Sequence, residues 1–529
     1  MRTLRRDWLA VLALALIVRW LAALPQMQPN YMDAAYYTVG GQRLAQGYGF
    51  TDPYVWHYLD QPATLPQPSH LYWMPLPSLL VAASQLIFGV NYRAAQVPFV
   101  LLSAVLPLIA YAMAWQLSAN RRHAWLAALL TIFSAFYLPY WGVPESFTPF
   151  AVCGALALWL GSGQGGDKET SRHASLRALA AGVCVGLAHL SRADGFLLLI
   201  PMLLGTFNFA RHSSLVTRHT LRRTVLIALG YLLIMSPWFV RNLSVIGAPL
   251  SSAGTQAAWL CSYDELFSYG VRFDPSHWLS CGLDQVVLAK VNGVLSGLVH
   301  LIAETGLIFM AVPIALGLWQ TRRQPLIRQA LIYLGLLFSV MTLVFTFAGD
   351  RGGLFHSMGA LLPMVYAAAP IGLDALIGWI AARRSTWQVR PARMVFTLAA
   401  IGLALGLSWV VYRGRVIGTN VNDPVWNRAD EVSLAIGRAL ADRGVADPIV
   451  MVNNPPLFTY LTGVRSIVIP NGDEAMLLAA ARQFGADWVV LDANRPAGLA
   501  DIYAEPESAG KLQLEAEWDG SRLLKIMPP

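Results

Sequence analysis

The sequence predicts a polytopic α-helical membrane protein with a soluble α/β domain at its C-terminal end. Hydrophobic residues make up 56% of the chain and charged residues only 13%, whereas a soluble domain usually carries about 25% charged residues. The mean hydropathy is +0.49. Apolar runs, each near the roughly 20 residues of a membrane-spanning helix, continue to about residue 412, and acidic residues become common after it. We therefore expect a membrane domain over 1–412 and a soluble domain over 413–529.

Basic residues mark the cytoplasmic side of the predicted membrane domain. The net charge is +8 and the pI is near 9.3, but Lys and Arg gather in short segments between apolar runs. Six segments hold 19 basic residues, whereas the other loops before residue 413 hold seven; the six are 2–6, 121–122, 168–177, 211–223, 322–328 and 383–393. Because positively charged loops stay cytoplasmic, this distribution reports topology and excludes a nucleic-acid partner.

The first external loop follows from a parity argument. The basic clusters at 2–6 and 121–122 must be separated by an even number of crossings, yet three apolar stretches lie between them. The middle stretch, 75–89, is the shortest, so we interpret it as an interfacial or partly inserted helix. The loop then covers about 25–93. About eleven spans are expected, at roughly 8–24, 94–117, 124–140, 145–161, 177–190, 195–209, 224–240, 291–318, 329–348, 358–380 and 394–412.

Two features of this topology allow alternatives. The Arg-rich start and first apolar run also fit a signal peptide, but Leu24-Pro25-Gln26 is a poor cleavage site, which favours an uncleaved first helix. The pair 177–190 and 195–209 is short and also fits a re-entrant hairpin. A hairpin leaves the parity unchanged, so with an uncleaved first helix we expect a cytoplasmic N-terminus and a C-terminal domain outside.

The C-terminal domain has the alternating pattern of an α/β sheet. Apolar strands at 449–452, 466–469 and 488–491 alternate with helical stretches near 426–443 and 473–484, which favours a parallel sheet. Asp519-Gly520 between two alternating stretches predicts a hairpin. The sequence of this domain contains no glycine-rich phosphate loop, no metal-ligand cluster and no Asp-X-Asp motif. Asn453, Asn454 and Asp492 follow strand ends, where they are ligand candidates or turn formers.

Ionisable residues concentrate at the external ends of the predicted spans, where such residues are costly and usually functional. They are Asp33, Glu145, Arg192, Asp194, Arg241, Arg351 and His356. The external loop 241–290 also holds Cys261 and Cys281, which predict a disulfide if that face is oxidising and two unpaired thiols otherwise. Asp33 lies at the start of a helical stretch that ends near Gly47. By position it is either the cap of that helix or a catalytic residue.

Five stretches carry a resemblance to a known family. Asp33-Ala-Ala-Tyr36-Tyr37 opens the long external loop, and the others are His70-Leu-Tyr72-Trp73-Met-Pro75, Pro144-Glu145-Ser-Phe-Thr, Leu190-Ser-Arg192-Ala-Asp194-Gly and Ser236-Pro-Trp-Phe-Val-Arg241-Asn242. Their order and spacing resemble the GT-C superfamily of membrane glycosyltransferases, most closely the branch of protein O-mannosyltransferases and aminoarabinose transferases. The likeness covers most of residues 1–380 and extends to the overall topology.

The resemblance implies an inverting transfer of a sugar from a polyprenyl- or dolichyl-phosphate donor to an acceptor outside the cytoplasm. Asp33 matches the family's catalytic acid, which takes the proton of the attacking hydroxyl, and Glu145 matches the second external acid. Arg192, Arg241, Arg351 and His356 are candidate ligands of the donor phosphate. Candidate substrate-pocket residues are Tyr36, Tyr37, His70, Tyr72 and Trp73.

Alternatives to these roles remain open. Arg241 also fits an arginine snorkelling at the interface, and the glycines of Gly349-Asp350-Arg351-Gly352-Gly353 also fit a simple turn. His300 and Glu304 share a helix face and either pair with each other or hold a proton or metal.

Two departures from the family pattern stand out. Ala34 replaces the second acid that follows the first in many relatives, so the sequence supports no metal cofactor. The usual lysine before the aromatic segment is absent, with His70 nearby. The implied location is the plasma membrane, in bacteria the inner membrane.

The main rival from another class is a transporter or lipid flippase with an external binding domain. Such a protein needs acids and bases along a midplane pathway, often in repeated halves. The sequence shows no internal repeat, and its ionisable residues favour one face. A non-catalytic scaffold leaves the outward cluster unexplained. The donor sugar, the lipid length and the acceptor, whether protein, glycolipid or growing glycan, are not readable from the sequence.

Overall fold

The computed structural model describes residues 2–162, 171–206, 218–347, 351–428, 431–506 and 510–527. Helices make up most of the part before residue 418. In chain order they are α1 (Arg2–Ala23), α2 (Met32–Ala45), α3 (Leu76–Phe88), α4 (Tyr92–Ser103), α5 (Leu106–Ser118), α6 (Arg121–Ile132), α7 (Phe147–Gly161), α8 (Ser171–Ser191), α9 (Leu199–Thr206), α10 (Arg218–Ile246), α11 (Ala253–Gln256), α12 (Pro275–Ser280), α13 (Leu283–Val299), α14 (Ala311–Thr321), α15 (Pro325–Ser339), α16 (Gly353–Met358), α17 (Leu362–Ala381) and α18 (Val389–Tyr412).

Seven helical stretches of the described residues are long and apolar enough to cross a membrane. They are Tyr92–Ser118, Arg172–Ser191, Thr220–Ile246, Leu283–Thr305, Pro325–Val344, Gly353–Ala381 and Val389–Ile417. Phe147–Gly161 and Ala193–Leu204 are shorter apolar helices at two further predicted spans. Helix α3 has 13 residues, about 20 Å of helix at 1.5 Å per residue. That length is too short for a crossing and suits an interfacial position.

Three predicted spans differ from the helices that form. The expected single span at 291–318 is interrupted: a π-helical turn at His300–Thr305 follows α13, and Leu307 and Ile308 have φ of +48° and +58° before α14 begins. The span expected at 124–140 ends earlier, because α6 stops at Ile132. Helix α8 starts six residues before the expected 177 and reaches 21 residues, which favours a crossing over a re-entrant turn.

Close helix contacts in the membrane domain occur at glycines. A Cβ on Gly372 of α17 would lie 1.8 Å from the carbonyl oxygen of Pro313, and one on Gly317 of α14 would lie 2.0 Å from that of Ala368. Helices α8 and α10 meet in the same way at Gly182, where a Cβ would lie 2.1 Å from the oxygen of Ile227. Small residues at such crossings let the backbones approach and gain van der Waals contact.

The C-terminal region contains a mixed sheet. Its strands are β4 (Ile449–Val452), β5 (Arg465–Val468), β6 (Trp488–Leu491), β7 (Leu512–Trp518) and β8 (Ser521–Ile526), and its helices are α19 (Glu431–Asp442), α20 (Pro455–Thr462), α21 (Glu474–Phe484) and α22 (Ala500–Ala504). Strands β5, β4 and β6 are parallel, and β8 and β7 extend the sheet as an antiparallel hairpin. Each of the three parallel strands lies within one residue of its expected position.

The first external loop joins this sheet, which the sequence did not predict. The loop contains three short strands, β1 (Thr51–Asp52), β2 (Tyr54–Val55) and β3 (Gln67–Pro68). Strand β2 pairs in parallel with β5, so the sheet order is β2-β5-β4-β6-β8-β7. The Tyr58 hydroxyl also donates a hydrogen bond of 2.6 Å to the Val468 carbonyl. The loop and the C-terminal domain are therefore one folded unit outside the helix bundle.

Candidate active site

Two cavities meet at the start of α2. The first cavity, of about 530 Å³, is lined by Asp33, Tyr37, Trp56, Tyr72, Trp73, His189, Arg192, Asp194, Tyr263, Phe345, Phe347, Arg351 and His356, among others. The second cavity, of about 580 Å³, is lined by Asn30, Tyr31, Asp33, Tyr140, Phe147, Arg351, Phe355, His356, Arg415 and Trp426, among others. Both volumes are in the range of small-molecule sites. Asp33, Arg351 and His356 line both cavities and form the junction between them.

Asp33 is the second residue of α2 and is not its N-cap. Tyr31 occupies the N-cap position, and no side chain caps the helix. The carboxylate lies in the first turn, where the helix dipole favours negative charge. Burial, reinforced by the nearby Glu145 carboxylate, raises the pKa of Asp33 to about 6. A carboxyl group with a pKa near 6 is a stronger base than a surface aspartate and is still ionised at neutral pH.

Glu145 is fully buried and sets the position of His356. Its carboxylate accepts a hydrogen bond of 2.6 Å from the Ser146 hydroxyl and lies 3.3 Å from Nε2 of His356. The imidazole stacks on Phe147 at 3.9 Å, and its Nδ1 lies 2.7 Å from the Gly352 carbonyl oxygen. When the Nδ1–H donates to this carbonyl, Nε2 presents a lone pair to the Glu145 carboxylate. Two lone pairs repel each other, so a proton or a cation between Nε2 and the carboxylate would stabilise the contact.

Two arginines bring positive charge to the cavities. The Arg192 Nε lies 3.0 Å from Oδ1 of Asp194 and 3.1 Å from the Ser357 hydroxyl, so its guanidinium is held in one orientation. Arg351 is exposed at the junction, and its guanidinium lies 4.5 Å from the centre of the Tyr263 ring. An oriented arginine beside an accessible one is an arrangement suited to a phosphate group.

Aromatic side chains form one wall of the first cavity. Tyr37, Tyr72 and Trp73, which the sequence singled out, all line it. Trp56 was missed, although it stacks on Trp73 at 4.0 Å with an interplanar angle of 12°. No local pattern distinguishes Trp56 from the other aromatic residues of the loop, because its place depends on β2 pairing with the C-terminal sheet. Arg415, which lines the second cavity, was also missed, because it follows α18 and the sequence assigned it to the soluble domain.

Four of the expected residues line neither cavity: Glu145, which lies against His356, and Tyr36, His70 and Arg241. Tyr36 is buried, and its hydroxyl accepts a 2.7 Å hydrogen bond from the backbone N–H of His70. His70 is itself buried between the hydroxyls of Ser69 and Ser78. Burial, with a contribution from Arg241, lowers the pKa of His70 to about 3, so it is uncharged and unsuited to replace the family's lysine.

Arg241 also serves the fold of the loop. Its Nη2 donates to the Ser69 carbonyl at 3.0 Å, and its guanidinium lies 4.8 Å from the Trp238 ring. It therefore ties the end of α10 to the external loop, and it lines neither of the two cavities. Gly349 and Asp350 of the glycine-rich stretch lie outside the described residues. His300 and Glu304 pair directly, with Nδ1 and Oε2 2.6 Å apart.

Asp33, Glu145 and His356 also form a set of possible metal ligands. Each offers one oxygen or nitrogen, and these atoms lie within 4.8 Å of one another. The sequence contained no motif for this set because its members are more than a hundred residues apart. Two carboxylates and an imidazole suit a divalent transition metal or zinc. Nε2 of His356 is buried and has no hydrogen-bond partner among the described residues, which is consistent with that use.

The chain is similar to known proteins in sequence over one stretch and in fold over most of its length. The sequence profile of a family described as dolichyl-phosphate-mannose-protein mannosyltransferase matches residues 67–240. Among curated proteins, no sequence matches the chain. The crystal structure of ArnT from Cupriavidus metallidurans bound to undecaprenyl phosphate is similar with a TM-score of 0.58 at 13% identity, covering 98% of this chain and 99% of that one.

Two archaeal structures share the fold. The Archaeoglobus fulgidus oligosaccharyltransferase in complex with Zn and sulfate has a TM-score of 0.59 at 14% identity, covering 98% of this chain and 74% of that one. AglB from the same organism, in complex with an inhibitory peptide and a dolichol-phosphate, has a TM-score of 0.57 at 13% identity, covering 92% and 69%.

The fold is that of the GT-C membrane glycosyltransferases, which confirms the resemblance seen in the motifs. Within that class, the stretch matched by the mannosyltransferase profile holds the aromatic segment at His70, the acid Glu145 and the Arg192 turn.

Proposed function

We propose that the protein is a glycosyltransferase that moves a sugar from a polyprenyl-phosphate donor to a hydroxyl-bearing acceptor at the outer face of the membrane. The observation that carries this proposal is the junction of the two cavities, where one carboxylate faces both spaces beside Arg351 and His356. Such a junction brings two substrates to one base. The solved relatives bound to undecaprenyl phosphate and dolichol-phosphate support the choice of donor.

The first cavity suits the donor. Aromatic side chains such as Trp73 and Tyr72 offer flat surfaces for a sugar ring, and Arg192 and Arg351 offer charge for the phosphate. Its apolar wall, with Met341, suits the polyprenyl chain. The second cavity, with Arg415 and Asn30 at its edge, is then left for the acceptor.

The chemistry follows from these positions. Asp33 takes the proton of the acceptor hydroxyl while the oxygen attacks the anomeric carbon from the face opposite the phosphate. The bond between that carbon and the phosphate oxygen breaks, so the anomeric configuration inverts and the lipid phosphate leaves with added negative charge. The guanidinium groups of Arg192 and Arg351 offset this charge. A divalent ion held by Asp33, Glu145 and His356 would supply further positive charge at the same point.

The test is donor turnover by the full-length protein in liposomes. Labelled polyprenyl-phosphate sugars are supplied with an acceptor pool of membrane glycolipids and envelope proteins, and released polyprenyl phosphate is measured. Asp33→Asn removes the base, so turnover is expected to fall by roughly 10²–10⁴-fold.

Asp52→Asn is the matched control, because it alters another buried carboxyl of the same loop that lines neither cavity. Full turnover by Asp33→Asn would overturn the role of this residue. Substrate uptake by the wild type without any transfer would favour the transporter instead.

A further inference from the structure

Four side chains of metal-ligating type meet in the external segment between α10 and α13, apart from the cavities' junction. They are Cys261, Glu265, His277 and Cys281. The Cys261 sulfur lies 3.4 Å from Nε2 of His277, and this nitrogen lies 3.1 Å from Oε1 of Glu265. Ligand atoms of the two cysteines and the histidine all lie within 4.8 Å of one another.

The two cysteines form a disulfide in the structure, with Cα atoms 6.0 Å apart and a sequence separation of 20. The other two side chains are held independently of that bond. Oε2 of Glu265 accepts a hydrogen bond of 2.7 Å from the backbone N–H of Cys261. His277 is carried by α12, whose N-terminus is capped by the side chain of Asp274. Reduction of the disulfide therefore leaves the imidazole and the carboxylate in place beside two free thiols.

We propose that this cluster is a redox-controlled zinc site, closed as a disulfide when oxidised and able to bind Zn²⁺ when reduced. A tetrahedral zinc ion with the usual bond lengths to sulfur, nitrogen and oxygen keeps neighbouring ligand atoms roughly 3.2–3.8 Å apart. The distances of 3.4 Å from the Cys261 sulfur to Nε2 and 3.1 Å from Nε2 to the Glu265 oxygen are close to that range. The side chains of His277 and Glu265 are 31% and 19% exposed, so an ion has access.

The conversion between the two forms is balanced. A phosphine or thiol reductant supplies two electrons to the sulfur–sulfur bond, and each sulfur takes up one proton. Zinc then binds the two sulfurs as thiolates and releases these two protons. Both forms join position 261 to position 281, so both restrain the segment between them.

The site is connected to the first cavity through its neighbours in the chain. Tyr263 lies between Cys261 and Glu265, lines the first cavity and contacts the guanidinium of Arg351. Protein that is reduced and free of metal has neither the disulfide nor the zinc ion to join residue 261 to residue 281. We expect Tyr263 to be held least firmly in this third state.

The test uses the full-length protein in nanodiscs and Co²⁺ as a probe for the zinc site. Thiolate ligands give Co²⁺ an intense near-ultraviolet charge-transfer absorption, which the sulfur-free set of Asp33, Glu145 and His356 cannot give. The band is expected for protein reduced with a phosphine and absent from oxidised protein. One equivalent of Zn²⁺ should abolish it.

Variants assign the band to this cluster. Cys281→Ser is expected to lose most of the band, and His277→Ala and Glu265→Gln to weaken Co²⁺ binding roughly tenfold or more, so that the band is lost or reduced at one equivalent of Co²⁺. The matched controls His173→Ala on α8 and Cys153→Ser on α7 should keep it. Absence of the band from reduced wild type, which needs no variant, would overturn the proposal, as would a full band in His277→Ala. Neither result depends on the glycosyltransferase proposal, because no donor or acceptor is present.

Discussion

The carboxyl group of Asp33 is subject to opposing influences at the meeting point of the two cavities. Burial and the Glu145 carboxylate favour its neutral form, whereas His356 and Arg192 favour the ionised form. The balance leaves the group ionised at neutral pH and still basic. Both properties are those that the proposed role of Asp33 as a base requires.

The pH dependence of turnover follows from this balance. Only the ionised carboxylate accepts a proton, and burial raises the pKa of Asp33 to about 6. We expect kcat/KM to fall about tenfold per pH unit below 6, as the base becomes protonated. Donor turnover measured from pH 4.5 to pH 8 checks this. A rate that stays constant down to pH 4.5 would contradict it.

Asp52 allows a prediction about stability at the same scale. Burial raises the pKa of this carboxyl group from 3.8 to about 8. The unfolded chain therefore releases the proton first, and the folded state loses stability relative to it as the pH rises from about 4 to 8. Asp52→Asn abolishes this loss of stability. The unfolding midpoint of the variant, relative to that of the wild type, should therefore be higher at pH 8 than at pH 5. Thermal unfolding of both proteins at pH 5 and at pH 8 measures this difference between their midpoints. The same difference at both pH values would show that the carboxyl group is not buried in its neutral form.

At the scale of helices, glycines determine how closely the membrane helices approach. Helices α14 and α17 meet where Gly372 faces the Pro313 carbonyl and Gly317 faces that of Ala368. Helix α17 follows α16, which carries His356, so the chain connects this contact to the candidate site. The sequence showed the glycines, but only the packing shows which of them touch a neighbouring backbone.

Gly372→Ala tests this contact. The added methyl group would lie 1.8 Å from a backbone oxygen, so the two helices must separate, which is expected to destabilise the protein by about 1–3 kcal/mol. Gly378→Ala on the same helix is the control, because nothing lies within 4 Å of its new Cβ. The measurement is the thermal unfolding midpoint in detergent. Equal midpoints for the two variants would contradict the close contact.

For the whole molecule, charge and apolar length set the orientation in the membrane. The proposed outward site requires the C-terminal sheet and the first external loop to share one side, and their strand pairing through β2 and β5 agrees with this. The basic segments should then face the cytoplasm.

Labelling in intact cells tests the orientation. A cysteine introduced at exposed Asp519, in the β7–β8 hairpin, should react with a membrane-impermeant maleimide. A cysteine at exposed Arg323, between α14 and α15, should react only after the membrane is permeabilised. The reverse pattern would contradict the proposed orientation and the outward site with it.

Much of the architecture was predictable from local patterns. Apolar runs and basic clusters located most of the membrane helices, and strand patterns located β4, β5 and β6. The break after α13 was not predicted, because the overall apolar character of residues 291–318 indicates one span, although Gly306 directly precedes the positive φ of Leu307 and Ile308. Motif resemblance singled out Asp33, Arg192, Tyr72 and Trp73, and position at a span end singled out Arg351, all of which line a cavity. Neither signal separated them from Tyr36, His70 and Arg241, which do not.

The sequence alone indicated the apolar helices and the resemblance to the GT-C fold, because hydrophobic length, charge distribution and motif order are properties of the chain itself. The tertiary structure alone decided which side chains meet. It brought Glu145 and His356 to Asp33, added Trp56 and Arg415 to the cavities, and turned His70 and Arg241 into supports of the loop. These outcomes depend on packing between segments hundreds of residues apart, and no local pattern records such contacts.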